Sequence, residues 1–382
     1  MGIYRTIVLS GGGSKGPYGL GVLLSLDKLK RERGKEVTDI FCGTSVGALN
    51  ATLAAQGQLA ELNTLYGKLR TENILGSPKS TVSKIGLLRA TFRKPFHYFK
   101  NDALRATIEK YVDFDRLKGA HLLICATNYT SGELETFYCS DLVDEFISQD
   151  RKRPIERQRL ANYHRLNSKE EVVQALLAST AIPFYFPPVK IGGSLYVDGG
   201  VGNNTPLRQA AYMCRYLQGR GDTIWPTFCV INDPLRFTID TSHSNDVFGV
   251  VGRTLDLFHN EIVSDAEISW RRINEEMKKV QTSLDTLSSQ IGGMEAIPAE
   301  GRQTLLQHVE VAFNGDDRTA PRCQLAIEIV RPSAHLLDNI LEFSLTNAKR
   351  LKRQGIADCL SALHRTNVIT PHEERKWNET LS

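Results

Sequence analysis

The sequence predicts an α/β protein, and three observations support this class. A β-branched run at residues 4–10 leads through a glycine loop into a helical pattern. A second short apolar run ends at Cys42 and leads into an alanine-rich helical pattern. Strand patterns recur at residues 121–127 and 223–232, with helical patterns between them. Strands that alternate with helices favour a mostly parallel sheet covered by helices.

Composition indicates a folded protein with reduced thiols. Of the 382 residues, 41% are hydrophobic and 24% are charged, which is typical of globular chains. The net charge of +4 gives no indication of a nucleic acid partner. The seven cysteines are scattered without a CxxC pair, so we expect neither disulfides nor a metal site. No signal peptide is apparent and no apolar run approaches the ~20 residues of a spanning helix. We therefore expect a cytoplasmic protein that meets the inner face of the membrane only peripherally.

The turn after the first strand holds a cluster of glycines, Gly11, Gly12, Gly13 and Gly16. The first backbone N–H groups of the helix that follows have no acceptor inside the helix and carry a partial positive charge. Such a loop favours an anion, or the oxyanion of a reaction intermediate, as its guest.

Three interpretations of this glycine loop compete. A Walker A phosphate loop is excluded, because Gly16 is followed by Pro17 and Tyr18 rather than by Lys and Ser or Thr. A dinucleotide site stays open but is disfavoured, since the second strand ends in Cys42 and Gly43 rather than in an acidic residue. An oxyanion hole requires only that the first two strands be neighbours, as is common in a right-handed βαβ unit.

The second strand ends in a G-x-S-x-G sequence at residues 43–47. Glycines on both sides of a serine allow the strained turn from strand to helix that lifts the serine hydroxyl out of the sheet. The pattern therefore predicts Ser45 as a nucleophile. Because five letters with two fixed glycines also arise by chance, this prediction depends on finding partners for the serine.

A candidate partner follows a predicted hairpin at residues 189–191 and 194–197. The hairpin ends in Asp198, Gly199 and Gly200, and the two glycines allow another group to approach the aspartate closely. An Asp-Gly pair is also common in simple turns. Asp198 is thus a candidate general base whose role depends on what lies beside it.

Two segments are predicted to lie at the surface. In residues 77–100, cationic residues alternate with aromatic residues. This pattern is typical either of a lid that binds anionic membranes or of a solvated basic cap. Residues 149–165 are polar and basic, which predicts a segment that extends over the surface.

The remainder of the chain is predicted to be mainly helical. Apolar residues spaced by three and four across residues 266–291 predict a long helix whose seam packs within the chain or against a second copy of it. We expect a single domain over residues 1–382, with a mainly helical insertion at about 243–318 and a strand-helix closure at about 322–363.

The motifs, taken in order over residues 4–235, resemble the patatin-like phospholipase family. They are GGGxKG after the first strand, GxSxG about thirty residues later, ASTAIPFYFPPV at 178–189 and then Asp-Gly-Gly. The resemblance implies a three-layer fold with a mixed, mostly parallel central sheet flanked by helices. It also implies an acyl hydrolase that acts on phospholipids at a membrane surface without a metal or another cofactor.

The resemblance also assigns roles to single residues. Ser45 matches the nucleophile of the family and Asp198 matches its partner in a Ser-Asp dyad. Lys15 stands where the family has a basic residue, and we expect it to bind substrate. The oxyanion-hole glycines of the family match Gly11, Gly12 and Gly13. The chemistry of the residues agrees, since a serine, a base and unpaired amides are what acyl transfer requires.

Two rival functions stay open. An ordinary α/β-hydrolase triad would need a histidine, although its serine turn usually follows several strands rather than one. The histidines after Asp198 are His243, His259, His308, His335, His364 and His372. The second rival is an effector phospholipase that depends on a small-molecule or protein activator, or a binding module with little hydrolysis. The segment 149–165 and the long helix would be available to bind such a partner.

Overall fold

The computed structural model of the chain describes residues 1–75, 99–150, 162–234, 267–314 apart from 269, 270, 273 and 280, 325–337 and 341–382. A single ten-stranded sheet runs through these residues. Its strands are β1 (Ile3–Leu9), β2 (Thr38–Thr44), β3 (His121–Asn128), β4 (Leu134–Cys139), β5 (Tyr163–Arg165), β6 (Val189–Ile191), β7 (Ser194–Asp198), β8 (Thr223–Ile224), β9 (Thr227–Val230) and β10 (Ile327–Val330).

The sheet is mixed and mostly parallel, as the sequence predicts. Its main order is β10-β9-β1-β2-β3-β4-β5, with β8 beside β1 and the β6–β7 hairpin joined to β3 through β7. Among the described strands, six of the nine pairings are parallel. The neighbouring positions of β1 and β2, on which the oxyanion-hole interpretation depends, are therefore confirmed.

Helices cover both sides of the sheet. They are α1 (Gly16–Arg33), α2 (Val46–Ala55), α3 (Leu59–Lys68), α4 (Thr71–Leu75), α5 (Asp102–Tyr111), α6 (Phe114–Leu117), α7 (Asp141–Asp150), α8 (Lys169–Ser179), α9 (Gly200–Asn203), α10 (Leu207–Gly219), α11 (Ala299–Asn314), α12 (Leu345–Arg365) and α13 (Pro371–Leu381). Successive side chains of β1 enter opposite cores, with Ile7 and Leu9 in one and Val8 in the other. This alternation produces the three layers of helix, sheet and helix.

One local prediction needs correction, and the start of one helix departs from the usual capping pattern. The strand predicted at 223–232 is split into β8 and β9, because Trp225 and Pro226 interrupt it and proline has no backbone donor for a ladder. At the start of α8, Ser168 accepts a hydrogen bond from the Glu171 amide (3.2 Å), as expected of an N-cap. The Glu171 carboxylate, however, accepts from the amide of Asn167 (2.7 Å) rather than from that of Ser168, so the capping box is displaced by one residue.

Several predicted segments lie partly outside the described residues. Residues 76–98, 151–161, 235–266 and 315–324 fall outside, and with them most of the basic aromatic stretch and of the surface excursion. The described residues between 267 and 292 are helical, but Trp270, Ile273 and Val280 of the predicted seam are not among those described. The single-domain organisation and an oligomer through this helix therefore remain predictions. In the described part of the chain, no helix is both long and apolar enough to cross a bilayer.

Candidate active site

The carboxyl ends of two strands meet beside β3. Thr44 at the end of β2 pairs with Cys125, and Asp198 at the end of β7 pairs with the next residue of β3, Ala126. β2 runs parallel to β3 and β7 runs antiparallel to it, while β4 occupies the other edge of β3. β2 and β7 therefore meet end to end on one edge. This arrangement brings Ser45, which follows Thr44, next to Asp198.

The turn at Ser45 has the geometry of a strained elbow. Its φ of 54° and ψ of −127° are rare for a residue with a side chain. A Cβ on Gly43 would lie only 2.6 Å from the Ala48 backbone, and one on Gly47 would lie 2.6 Å from the Ser10 carbonyl oxygen. Both glycines of the GxSxG sequence are thus required because backbone approaches them closely.

Asp198 is a buried carboxyl whose environment favours its protonated form. It is 3% exposed, and burial raises its pKa from 3.8 to about 7. A smaller opposing effect comes from the Ser45 hydroxyl and from the Gly200 amide, which donates to Oδ1 at 2.7 Å. The other oxygen, Oδ2, accepts no well-aligned hydrogen bond from any described residue. The Ser45 hydroxyl is thus close enough to lower the pKa of Asp198 without forming a well-aligned hydrogen bond with it.

The end of α8 holds the nucleophile and the acid in place. The Ser45 amide donates to Ser179 Oγ (2.9 Å), and Ser179 Oγ donates to the carbonyl oxygen of Cys125 in β3 (2.6 Å). The Asp198 amide donates to the carbonyl oxygen of Ala181 (2.9 Å). The segment 179–181 thus fixes the ends of β2 and β7 together. No motif marks Ser179 as a site residue, and the only signal in the sequence is a serine that directly follows the buried apolar residues at the end of α8.

The glycine loop lies against Ser45. The Gly11 amide donates to the carbonyl oxygen of Asn204 at 3.1 Å, so it is already occupied. Within the described residues, the amides of Gly12 and Gly13 donate to no acceptor. Gly13 has a φ of 54°, in the left-handed region that favours glycine. With respect to the described part of the chain, both amides are therefore available as donors at the start of α1.

Residues after β9 anchor the loop from the other side of β1. Asn232 Nδ2 donates to the carbonyl oxygens of Ser10 (2.9 Å) and Gly11 (3.0 Å). The Lys15 ammonium, 1% exposed, forms an ion pair with Asp233 Oδ1 at 2.6 Å. Neither Asn232 nor Asp233 belongs to a motif that predicted a site residue. Two polar residues directly after a buried strand were the available signal.

An apolar cavity begins at the serine. Ser45, Val46 and Gly13 line one part of it, and α2, α3, α4, α5 and α8 form most of its wall. Leu341 and Phe343, which precede α12, complete the wall. The cavity thus offers an apolar path from Ser45 that suits a hydrocarbon chain.

The described histidines lie elsewhere. His243 and His259 are outside the described residues, and none of the other four candidates borders the cavity at Ser45. His364, for example, pairs with Glu374 at 2.7 Å. The part of the chain that the structure describes also contains no group of three or more potential ligands placed to hold a metal ion.

A strained serine turn beside a buried carboxyl, at the start of an apolar cavity, is typical of α/β-type hydrolases. Comparison with known proteins makes this class more specific. Residues 7–211 match the family model described as patatin-like phospholipase, which is more than half of the chain. The chain belongs to the patatin-like phospholipase family.

The curated relatives are distant, and the chain matches only part of each. The chain is 26% identical over 211 residues to a cGAMP-activated phospholipase of Pseudomonas aeruginosa. The aligned region covers 53% of this chain and 54% of that protein. It is 28% identical over 233 residues to the mouse calcium-independent phospholipase A2-gamma, covering 58% of this chain and 26% of that protein. The chain thus spans about half or less of these relatives. The crystal structure of VipD from Legionella pneumophila aligns with 95% of this chain and 67% of that one, with a TM-score of 0.36 and 14% identity.

Proposed function

We propose that this protein is a serine lipid acyl hydrolase of the phospholipase A type, which cleaves fatty-acyl esters of membrane phospholipids. The observation that carries the proposal is the position of Ser45, which lies on a strained elbow beside the buried Asp198 carboxyl and lines an apolar cavity. A hydrocarbon chain in the cavity would bring its ester carbonyl to Ser45.

In the proposed reaction, Asp198 accepts the proton of the Ser45 hydroxyl while the oxygen attacks the ester carbonyl. The amides of Gly12 and Gly13 stabilise the oxyanion that forms. Gly11 contributes by having no side chain, so that the loop and Ser45 remain in contact. Collapse of the intermediate expels the alcohol, which takes the proton from Asp198, and water then releases the fatty acid from Ser45.

Lys15 receives a positioning role in this proposal. Its ion pair with Asp233 is almost fully buried, and breaking such a pair leaves an uncompensated charge. We therefore assign Lys15 to holding the glycine loop, rather than to the substrate binding that the resemblance implied.

Release of fatty acid from phospholipid vesicles tests the proposal. Ser45→Ala and Asp198→Asn should each lower the rate by at least about 10³-fold, because they remove the nucleophile and the base. Single replacements of the six histidines after Asp198 should retain most of the activity. Unchanged release by Ser45→Ala would contradict the hydrolase mechanism. A folded histidine variant as inactive as Ser45→Ala would contradict the dyad.

A second candidate function is an effector phospholipase that requires an activator. The observation that favours it is the similarity to a relative named as cGAMP-activated. Fatty-acid release should then be absent with the pure protein and appear on addition of cGAMP or cell extract. Release at full rate by the pure protein would contradict this candidate, and no release under any condition would favour a binding module.

We also propose that the protein works at the surface of an anionic membrane. A groove between α12 and α13 supports this, because Lys349, Arg350 and Arg353 line it and no Asp or Glu side chain of the described residues does. The start of α12 lies beside the glycine loop, since Asn347 and Ala348 share a small cleft with Ser14 and Pro17. The groove is therefore at the same end of the sheet as Ser45.

A further inference from the structure

Asn204 places a buried carboxamide next to the nucleophile. The residue is 1% exposed, and among the described residues neither Oδ1 nor Nδ2 of its side chain makes a hydrogen bond. A carboxamide can make up to four hydrogen bonds, and leaving all of them unmade in the protein interior is costly. A contribution to the stability of the fold therefore does not explain why this position holds an asparagine.

The carboxamide is in contact with the glycine loop. A Cβ at Gly11 would overlap Asn204 Oδ1 and would lie 3.2 Å from Ser45 Cβ. Asn204 and Ser45 therefore border the same small space above Gly11. Because no described residue is hydrogen-bonded to either end of the carboxamide, a half turn about its Cβ–Cγ bond exchanges Oδ1 and Nδ2 without breaking a hydrogen bond to one of them.

The backbone of the same residue occupies the Gly11 amide. The Asn204 carbonyl oxygen accepts that hydrogen bond at 3.1 Å, which removes one donor from the glycine loop. An unpaired N–H donor at this point has no negative partner before the reaction starts. It gains one when charge develops on the oxygen atoms around Ser45.

We propose that Asn204 is a catalytic residue of the Ser45 site, and that its Nδ2 donates a hydrogen bond to the oxyanion in place of the Gly11 amide. The inference rests on the proposed acyl transfer. As the Ser45 proton passes to Asp198 and the Ser45 oxygen bonds to the carbonyl carbon, the carbonyl electron pair moves onto its oxygen. That oxygen then accepts from Gly12, Gly13 and Asn204, and the electron pair returns when the ester C–O bond breaks.

Asn204→Leu tests the inference because leucine has nearly the shape of asparagine and has neither donor nor acceptor. We expect kcat to fall by about 10² to 10³-fold with little change in KM, as when an oxyanion donor is lost. The melting temperature should stay the same or rise, since the substitution removes an unpaired buried polar group. Reaction of Ser45 with a fluorophosphonate, which forms a tetrahedral adduct, should slow to a similar extent.

Asn203 provides the matched control. Its Oδ1 accepts a hydrogen bond from the Thr205 amide at 3.0 Å, so its side chain is partnered. Asn203→Leu should therefore lower the melting temperature and leave kcat within a few-fold of the wild type. The opposite signs of the stability changes separate a catalytic amide from a structural one.

Three outcomes would overturn the inference. They are an Asn204→Leu protein as active as the wild type, a loss of activity that parallels a loss of folded protein, and failure of both Asn204→Leu and Asn204→Ala to fold. Failure of the proposed function gives a different result, because Ser45→Ala would then hydrolyse lipid or the wild type would not react with the fluorophosphonate at all.

Discussion

Asp198 determines the pH range in which the proposed chemistry operates. Burial raises its pKa to about 7, and only the ionised carboxylate can accept the Ser45 proton. We expect kcat/KM to rise with pH and to level off above the pKa, with its midpoint near pH 7. Hydrolysis of a soluble short-chain ester between about pH 5 and pH 9 would measure this profile. A midpoint near pH 4 would contradict it, because the carboxyl would then be solvated.

The same residue makes the stability of the fold depend on pH. The pKa of an aspartate is about 3.9 in the unfolded chain. In the folded protein, burial raises the pKa of Asp198 to about 7. Between these values the unfolded state loses its proton first, so the folded protein loses stability as the pH rises, by up to about 4 kcal/mol. Asp198→Asn does not titrate. Its free energy of unfolding should exceed that of the wild type by more at pH 8 than at pH 5, as measured with urea.

An equal difference at both pH values would show that Asp198 has an ordinary pKa in the folded protein. Asp39 provides the control, since its carboxylate is hydrogen-bonded to Arg5 at 2.7 Å and lies away from Ser45. Asp39→Asn breaks an ion pair with a buried arginine and should destabilise the protein at both pH values.

At the scale of elements, the end of α8 joins β2 to β3 through one hydroxyl. Ser179→Ala would leave the Ser45 amide and the Cys125 carbonyl without this partner. We expect a loss of about 1–3 kcal/mol in unfolding free energy. We also expect kcat to fall at least tenfold, because small displacements of a nucleophile are costly. Urea unfolding and ester hydrolysis measure the two effects.

Ser25 is the matched control for this substitution. It is also a fully buried helical serine, but its hydroxyl donates to Gly21 within α1 at 3.1 Å. Ser25→Ala should therefore cost some stability and leave kcat unchanged. If Ser179→Ala had the same profile as Ser25→Ala, the proposed fixing of the elbow by α8 would be wrong.

Sequence patterns predicted the elements whose causes are local. Both the glycine loop and the serine turn follow a strand and precede a helix. Nearby backbone leaves no room for a Cβ at Gly43 or Gly47, and the φ of 54° favours glycine at Gly13. The contacts that complete the site are not local. Ser45 and Ser179 are 134 residues apart, and Lys15 and Asp233 are 218 apart. Neither periodicity nor a short motif specifies which strand ends meet, so the partners of the glycine loop could not be predicted.

At the scale of the whole molecule, the net charge of +4 is too small to explain attraction to a membrane, so local charge must do so. The groove between α12 and α13 has such a charge. Lys349 and Arg353 form no ion pair with a described residue. Burial lowers the pKa of the neighbouring Lys352, and the positive charges of Arg353 and Lys349 lower it further. Uncompensated like charges of this kind favour an anionic surface.

Charge reversal in the groove tests its role in membrane binding. Each cation near an anionic bilayer contributes about 1 kcal/mol, so Lys349→Glu with Arg353→Glu should weaken binding to phosphatidylserine vesicles by at least about tenfold. The loss should shrink as salt is raised. Arg375→Glu with Lys376→Glu is the matched control, because both side chains are exposed on α13 outside the groove and the net charge change is identical. Equal losses in the two double variants would mean that overall charge, and not the groove beside the Ser45 site, attracts the protein to the lipid.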